Sequence, residues 1–326
     1  MDLPFTTLDV FTTKQLEGNP LAVVRVPASL RDRLTQPVKQ KIAQEFNLSE
    51  TVFLHDDTST SGPEAREVDI FTIESELPFA GHPTIGTAVF VRHHLGSGGE
   101  GVRTLVTKAG PIGIEPFSSL PRGIRADIPH NVHLHAKTLR DVLPSADEEM
   151  VAMGMHPNPA IRAAELDAPV FSIVKGMTFV LVRLPSLDLL AGVKAGRLDF
   201  DALSPRLLDE GWQESFGARY YYVDVEGEDG EARENVRFLR TRMVELGFED
   251  PATGSAASAL GAYLTLAQEK KGTSFRVTQG VEMGRKSTIS VETTLGEGED
   301  GEAKLGHVYL GGTAVVVMQG TLRVDA

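Results

Sequence analysis

Three polar side chains stand out: Glu50 at the edge of an apolar run in FNLSETVFL, and His82 in GHPTIGTA and Asp250 in EDPATGSA, each beside small residues. Carboxylates and imidazoles are the groups that most often move protons in enzymes. Glu50 is followed by the apolar run TVFL, and burial beside such a run raises a carboxyl pKa toward the range useful for proton transfer. Each residue also has a plainer account: a surface acid at a strand start for Glu50, a turn-forming Asp-Pro for Asp250, and a satisfied core or loop histidine for His82. Together the three form an acid–base set.

The small residues suit an anion. A helix start leaves backbone N–H groups without partners and carries partial positive charge. Gly254, Ser255 and Ala256 would let an anion approach that backbone closely, and Gly86 and Thr87 are placed in the matching turn. Ser255 and Thr87 could equally cap their own helices through a side-chain oxygen.

Other chemistry is poorly supported. HNVHLH (130–135) carries His130, His133 and His135, but no cysteine and no acid at a convincing spacing, so no metal is expected. The chain has 0 cysteines, which excludes disulfides, thiolate ligands and a thiol base. GxSxG, GxGxxG after a first strand, and the P-loop pattern are absent, which argues against an ordinary α/β hydrolase, a Rossmann dehydrogenase and a P-loop NTPase.

These residues need elements to hold them. In the first half, strands are expected at 5–11, 21–27, 50–55, 67–73, 102–108, 112–117 and 123–129. One helix is expected at 36–46, where Val38, Ile42 and Phe46 form a stripe ended by Asn47, and another at 87–95. From about residue 138 the pattern restarts. Helical pieces break at Pro144, a helix is expected at 204–215, and a buried helix runs over 255–272. Strands are expected at 169–176, 178–185, 219–226, 236–242, 274–280, 287–294, 307–318 and 320–325. Each half thus has many short strands and one buried helix of small residues. An ungapped match of His82–Ala88 with Asp250–Ala256 pairs Pro, Gly and Ala, and pairs His82 with Asp250. Upstream, Glu76-Leu77 matches Glu245-Leu246 with a one-residue offset. An internal duplication is the expected origin.

The 326 residues suit two domains. The lobes are expected at 1–135, completed by a strand at about 313–326, and at 136–312. The net charge of −13 sits largely in two acidic runs, 226–234 and 296–303, read as solvated loops. With no basic cluster, nucleic acid is not an expected partner. No apolar run is long enough to span a bilayer and no secretory signal is apparent, so a cytoplasmic location without membrane association is expected.

FTTLDVFTTKQLEGNPLAVV, AQEFNLSETVFL, DIFTIESELPFAGHPTIGTA and ELGFEDPATGSA closely resemble the phenazine biosynthesis-like (PhzF-like) proteins of the diaminopimelate epimerase superfamily. The four blocks are ordered and spaced as in that family, and the resemblance covers nearly the whole chain. The resemblance implies an α/β (α+β) fold of two pseudo-symmetric lobes, each a curved mixed sheet around a central helix, with the active site between them. It implies Glu50 as general acid/base, assisted by His82 and Asp250. Gly81, Gly254, Ser255 and Ala256 would then line the substrate site, the two glycines allowing close backbone approach. Related epimerases and racemases use two cysteines. Here Ala80 stands where the first is expected and Asp250-Pro251-Ala252 covers the second, so a two-thiol mechanism is unavailable. The implied reaction is a cofactor-independent isomerisation of a small anionic substrate by a homodimer. A non-catalytic binding protein, and a lyase or dehydratase acting on a hydroxy-amino acid, are the alternatives.

Overall fold

The computed structural model describes residues 1–56, 62–96, 98–194, 196–227, 236–245, 247–268, 273–297 and 303–325. Most of both acidic runs, Leu246 and the expected helix end at 269–272 lie outside the described residues. The chain divides into two compact units, Met1–Ile128 with Tyr309–Ala326, and Pro129–Val308.

The first unit begins with β1 (Asp2–Val10), β2 (Asn19–Val26), α1 (Gln36–Phe46), β3 (Thr51–His55), β4 (Ala65–Phe71), β5 (Glu76–Leu77), α2 (Gly81–His94), β6 (Thr104–Thr107), β7 (Gly110–Phe117) and β8 (Gly123–Asp127). The second holds β9 (His133–Leu134), α3 (Asp147–Ala152), α4 (Pro159–Asp167), β10 (Val170–Val174), β11 (Met177–Arg183), α5 (Leu187–Ala191), α6 (Phe200–Leu207), β12 (Phe216–Val225), β13 (Val236–Glu245), β14 (Phe248–Asp250), α7 (Gly254–Gln268), β15 (Thr273–Gln279), β16 (Ser287–Glu297) and most of β17 (Ala303–Gly312). The last four residues of β17 pair with β8, and β18 (Ala314–Arg323) pairs with β1, so the chain's end completes the first unit.

The duplication is visible in the pairing. In the first unit β1/β2 is antiparallel, β2/β3 parallel, β3/β4 and β4/β5 antiparallel, β4/β6 parallel and β6/β7 antiparallel. From β10/β11 to β15/β16 the second unit repeats that series in the same order. The parallel steps need crossovers, and helices supply them: α1 and α2 in one unit, α5 with α6 and α7 in the other. Both units are mixed α/β, and each wraps its sheet about one helix. α2 packs on β1, β2, β3, β8 and β18, and α7 on β10, β11, β15 and β16. Such helices must be apolar or small on every side. Gly81 to Val91 of α2 are all buried, as are Ala256 to Leu260 of α7.

Close packing explains two helix glycines. A Cβ on Gly86 would lie 2.6 Å from both Leu21 Cδ2 and Val10 Cγ2, and one on Gly261 2.8 Å from Val291 Cγ1. Gly86→Ala is therefore expected to lose about 1–3 kcal/mol by overpacking. Urea unfolding checks this, and unchanged stability would show that β1 and β2 yield without cost.

The second unit also buries a charged network. The Arg219 guanidinium forks onto Glu245 (Nε to Oε2 2.7 Å, Nη2 to Oε1 3.0 Å) and donates from Nη1 to Glu165 Oε1 at 3.0 Å. The Tyr221 hydroxyl donates to the same Glu165 oxygen at 2.6 Å, and the His156 N–H to Oε2 at 2.9 Å. Side-chain exposure is 1% for Arg219 and 0% for each glutamate.

Several elements depart from the sequence expectation. α2 begins at Gly81, six residues before the expected 87, because Pro83 falls in the first turn, where its missing N–H costs nothing. α6 runs over 200–207 rather than 204–215: Asp199 caps it by accepting from the Ala202 N–H, and Leu208 is already extended. The expected strand at 307–318 is two strands divided at Thr313, where the chain leaves β8 and joins β1. α4 was not anticipated, although Asn158-Pro159 carries its signature: Asn158 accepts from Ala160 N–H and proline occupies the first helical position.

Candidate active site

Glu50 sits where α1 hands over to β3. Asn47 ends α1 in the left-handed conformation (φ 50°, ψ 36°), which asparagine tolerates better than most residues, and turns NLSE back toward the sheet. All five residues of β3 are buried, so Glu50 is carried to the edge of an apolar strand. Its side chain is 17% exposed, and among the described residues its Oε2 is buried without a hydrogen-bond partner. Burial pushes the carboxyl pKa up, against a smaller lowering by a hydrogen bond with Ser49.

His82 is the second residue of α2, and its Nε2 lies 3.6 Å from Glu50 Oε2. That is longer than a hydrogen bond and within the range of an ion pair. Asn19, at the start of β2, places Nδ2 3.4 Å from His82 Nδ1. With the Asn19 amide as donor to Nδ1, the imidazole proton would sit on Nε2, the nitrogen facing Glu50. Asn19 is 1% exposed. Gly18-Asn19-Pro20 reads from sequence as the close of a loop. The missed signal is an asparagine opening an apolar strand, since a buried amide must find partners.

The second unit carries the start of α7. Asp250 ends β14, and its Oδ2 accepts from Thr253 Oγ1 at 2.6 Å. Gln279, fully buried at the end of β15, clamps the turn: its Nε2 donates to Asp250 O at 2.8 Å and to Thr253 Oγ1 at 2.9 Å, and its Oε1 accepts from Thr253 N at 3.2 Å. Tyr220 supports Gln279 from beneath, with its hydroxyl 2.8 Å from Gln279 Oε1, and burial pushes that phenol's pKa up so that it stays a donor. Gly280 (φ +74°) comes so near that a Cβ there would lie 2.8 Å from Pro251 O. Neither Gln279, Tyr220 nor Gly280 was legible from sequence, because their partners come from distant strands.

Gly254, Ser255 and Ala256 are the first three residues of α7, whose N–H groups the helical pattern leaves without intrahelical partners. Ala257 N–H to Thr253 O, 3.0 Å, is the first helical bond. Gly254 and Ala256 are buried and Ser255 half-buried. Ser255 lies inside the first turn, so the capping position falls to Thr253. The matching start in the first unit is Gly81-His82. Gly86 and Thr87 lie in the second turn of α2 and beyond, buried, so the expected anion site and cap there are not formed. Helix position thus pairs Gly81 with Gly254 and His82 with Ser255, replacing the ungapped pairing of His82 with Asp250, and sets Ala80 opposite Thr253.

The family model for the phenazine biosynthesis-like proteins matches residues 8–320. The chain belongs to the phenazine biosynthesis-like family. It is 32% identical to an uncharacterised isomerase of Mesorhizobium japonicum over 96% of both chains. It is 29% identical to the trans-2,3-dihydro-3-hydroxyanthranilate isomerase of Pseudomonas fluorescens, over 98% of both. A phenazine biosynthesis protein of the PhzF family from Bacillus anthracis has the same fold, with a TM-score of 0.71 at 22% identity over 99% of this chain and 100% of that one. The phenazine biosynthesis-like chain is an enzyme of the isomerase class. Among its described residues no helix is long and apolar enough to cross a membrane.

Proposed function

We propose that this phenazine biosynthesis-like protein is a cofactor-independent isomerase that relocates a proton on a small carboxylate-bearing substrate. Glu50, ionised, takes a proton from carbon; the electron pair left behind delocalises into the adjacent unsaturated system. The protonated Glu50 then returns the proton to a different carbon, so the atom count of the substrate is unchanged. His82, with its Nε2 proton toward Glu50, orients the carboxylate and steadies its charge. The N–H groups of Gly254, Ser255 and Ala256 hold an anionic group of the substrate, and Asp250, fixed by Thr253 and Gln279, sets the turn that aims them.

The observation that carries this reading is the buried Oε2 of Glu50, which has no hydrogen-bond partner among the described residues and lies 3.6 Å from His82. A buried carboxylate oxygen without a partner costs stability, and a site for proton transfer gives such a cost a reason.

The first compound to test is trans-2,3-dihydro-3-hydroxyanthranilate, the substrate in the name of the Pseudomonas relative, followed by a panel of unsaturated amino and hydroxy acids. An isomeric product of equal mass supports the proposal. Loss of water would point to a dehydratase, and saturable binding without chemistry to a binding protein; either result overturns it. On the substrate so found, Gly254→Val should raise KM at least ~10-fold by placing a branched side chain where the anion approaches. Unchanged KM in a folded variant would remove the α7 start from the site.

A further inference from the structure

The histidines of HNVHLH are not used by the proton chemistry, and the structure supplies the acid that their sequence neighbourhood lacks. His133 and His135 stand two apart about β9, so both rings fall on one side of the strand, 4.8 Å apart. Asp209 reaches them from the segment after α6. Its Oδ2 lies 2.7 Å from His133 Nε2 and 3.7 Å from His135 Nδ1. The three donor atoms all lie within 4.8 Å of one another. Donors bound tetrahedrally at 2.0–2.1 Å from an ion would be roughly 3.3 Å apart, which the observed separations bracket.

The surroundings support ligation. His135 Nε2 lies 2.9 Å from Ser172 Oγ, which continues to Thr178 Oγ1 at 2.6 Å and on to Ser215 Oγ at 2.7 Å. A second ring nitrogen bonded to an oxygen fixes the orientation of a metal-bound histidine. The Ala136 N–H donates to Asp209 Oδ2 at 3.2 Å and steadies the carboxylate. The Asp209 N–H donates to His135 Nδ1 at 3.1 Å, and an ion on these three donors would replace this bond together with the 2.7 Å bond between His133 Nε2 and Asp209 Oδ2. His135 has a fully buried side chain while those of His133 and Asp209 are 34% and 32% exposed, so one side of the cluster is open to water as a further ligand.

We propose that His133, His135 and Asp209 bind one divalent transition-metal ion of the zinc class, tying β9 to the segment after α6. Two imidazoles and one carboxylate favour such an ion over magnesium or calcium, which prefer sets made of oxygen alone. The tie is structural and separate from the isomerase reaction.

The chain reports on this site itself. Its 1 tryptophan, Trp212, is stacked on His133 with ring centres 4.8 Å apart and planes at 12°. Full-length protein stripped with a chelator is titrated with Zn²⁺ while Trp212 emission is followed. A saturable change at one equivalent is expected, together with a raised melting temperature. Mg²⁺ should produce neither. Co²⁺ should give visible absorption bands that Zn²⁺ displaces. His133→Ala and Asp209→Asn should each weaken Zn²⁺ binding at least ~10-fold, and both alter part-exposed side chains. Absence of a saturable Zn²⁺ response in the wild type would leave His133–Asp209 as an ordinary ion pair stacked on Trp212 and overturn the proposal. So would wild-type affinity in a folded form of either variant.

Discussion

Replacing Glu50 by glutamine is expected to reduce turnover by ~10²–10⁴-fold, the usual contribution of a general acid–base group, while substrate still binds. Gln keeps the shape and cannot carry the proton. Stability should move the other way. Burial raises the folded-state pKa of Glu50, so the folded protein holds this proton to higher pH than the unfolded chain does. The carboxyl therefore favours the folded state most below the ordinary glutamate pKa, about 4.3, and that contribution is lost as pH rises through the folded value. Near pH 7 the glutamine variant should be at least as stable as the wild type. In the wild type, turnover should rise with pH through the same raised pKa as the base ionises. Urea unfolding and pH–rate profiles of the two proteins check both statements, and a variant with near-normal turnover would take Glu50 out of the mechanism.

The largest effect on stability is expected at Arg219. Arg219→Met leaves Glu165 and Glu245 facing each other's charge with 0% exposure and no cation between them. Breaking a buried ion pair by removing one partner costs about 3–5 kcal/mol. Glu245→Gln should cost less, since the amide oxygen can still accept from Arg219. Denaturant unfolding of the two variants under the same conditions gives the comparison. Equal and small losses in both would show that solvent reaches the network.

How much of this was legible in the sequence differs from element to element. β3 and its neighbours announce themselves as short apolar runs between turn residues, and the small-residue composition of α2 and α7 marks helices that must be buried on all sides. Glu50, His82 and Asp250 were visible because each interrupts such a pattern with a group able to carry a proton or a charge. Helix starts were harder. Pro83 reads as a break before a helix, yet a first-turn proline leaves the helix free to begin two residues earlier, at Gly81. That shift changed which residues of the two repeats correspond. Asn19, Gln279 and Asp209 were not legible in their roles, for one shared reason. Each acts on a partner far along the chain, His82 for Asn19, Thr253 for Gln279 and His133 for Asp209, and only the strand pairing brings them together.

If Glu50 lifts a proton from carbon, the rate of product formation in heavy water must depend on its carboxyl group. The protein is incubated with its substrate in heavy water, and recovered substrate and product are analysed by mass spectrometry and proton NMR. The expected product is an isomer of the substrate, with deuterium at the carbon that received the proton to the extent that the Glu50 carboxyl exchanges with solvent between steps. Glu50→Gln should form that product, labelled or not, at least ~100-fold more slowly. Product formation at an undiminished rate in a folded Glu50→Gln protein would contradict it.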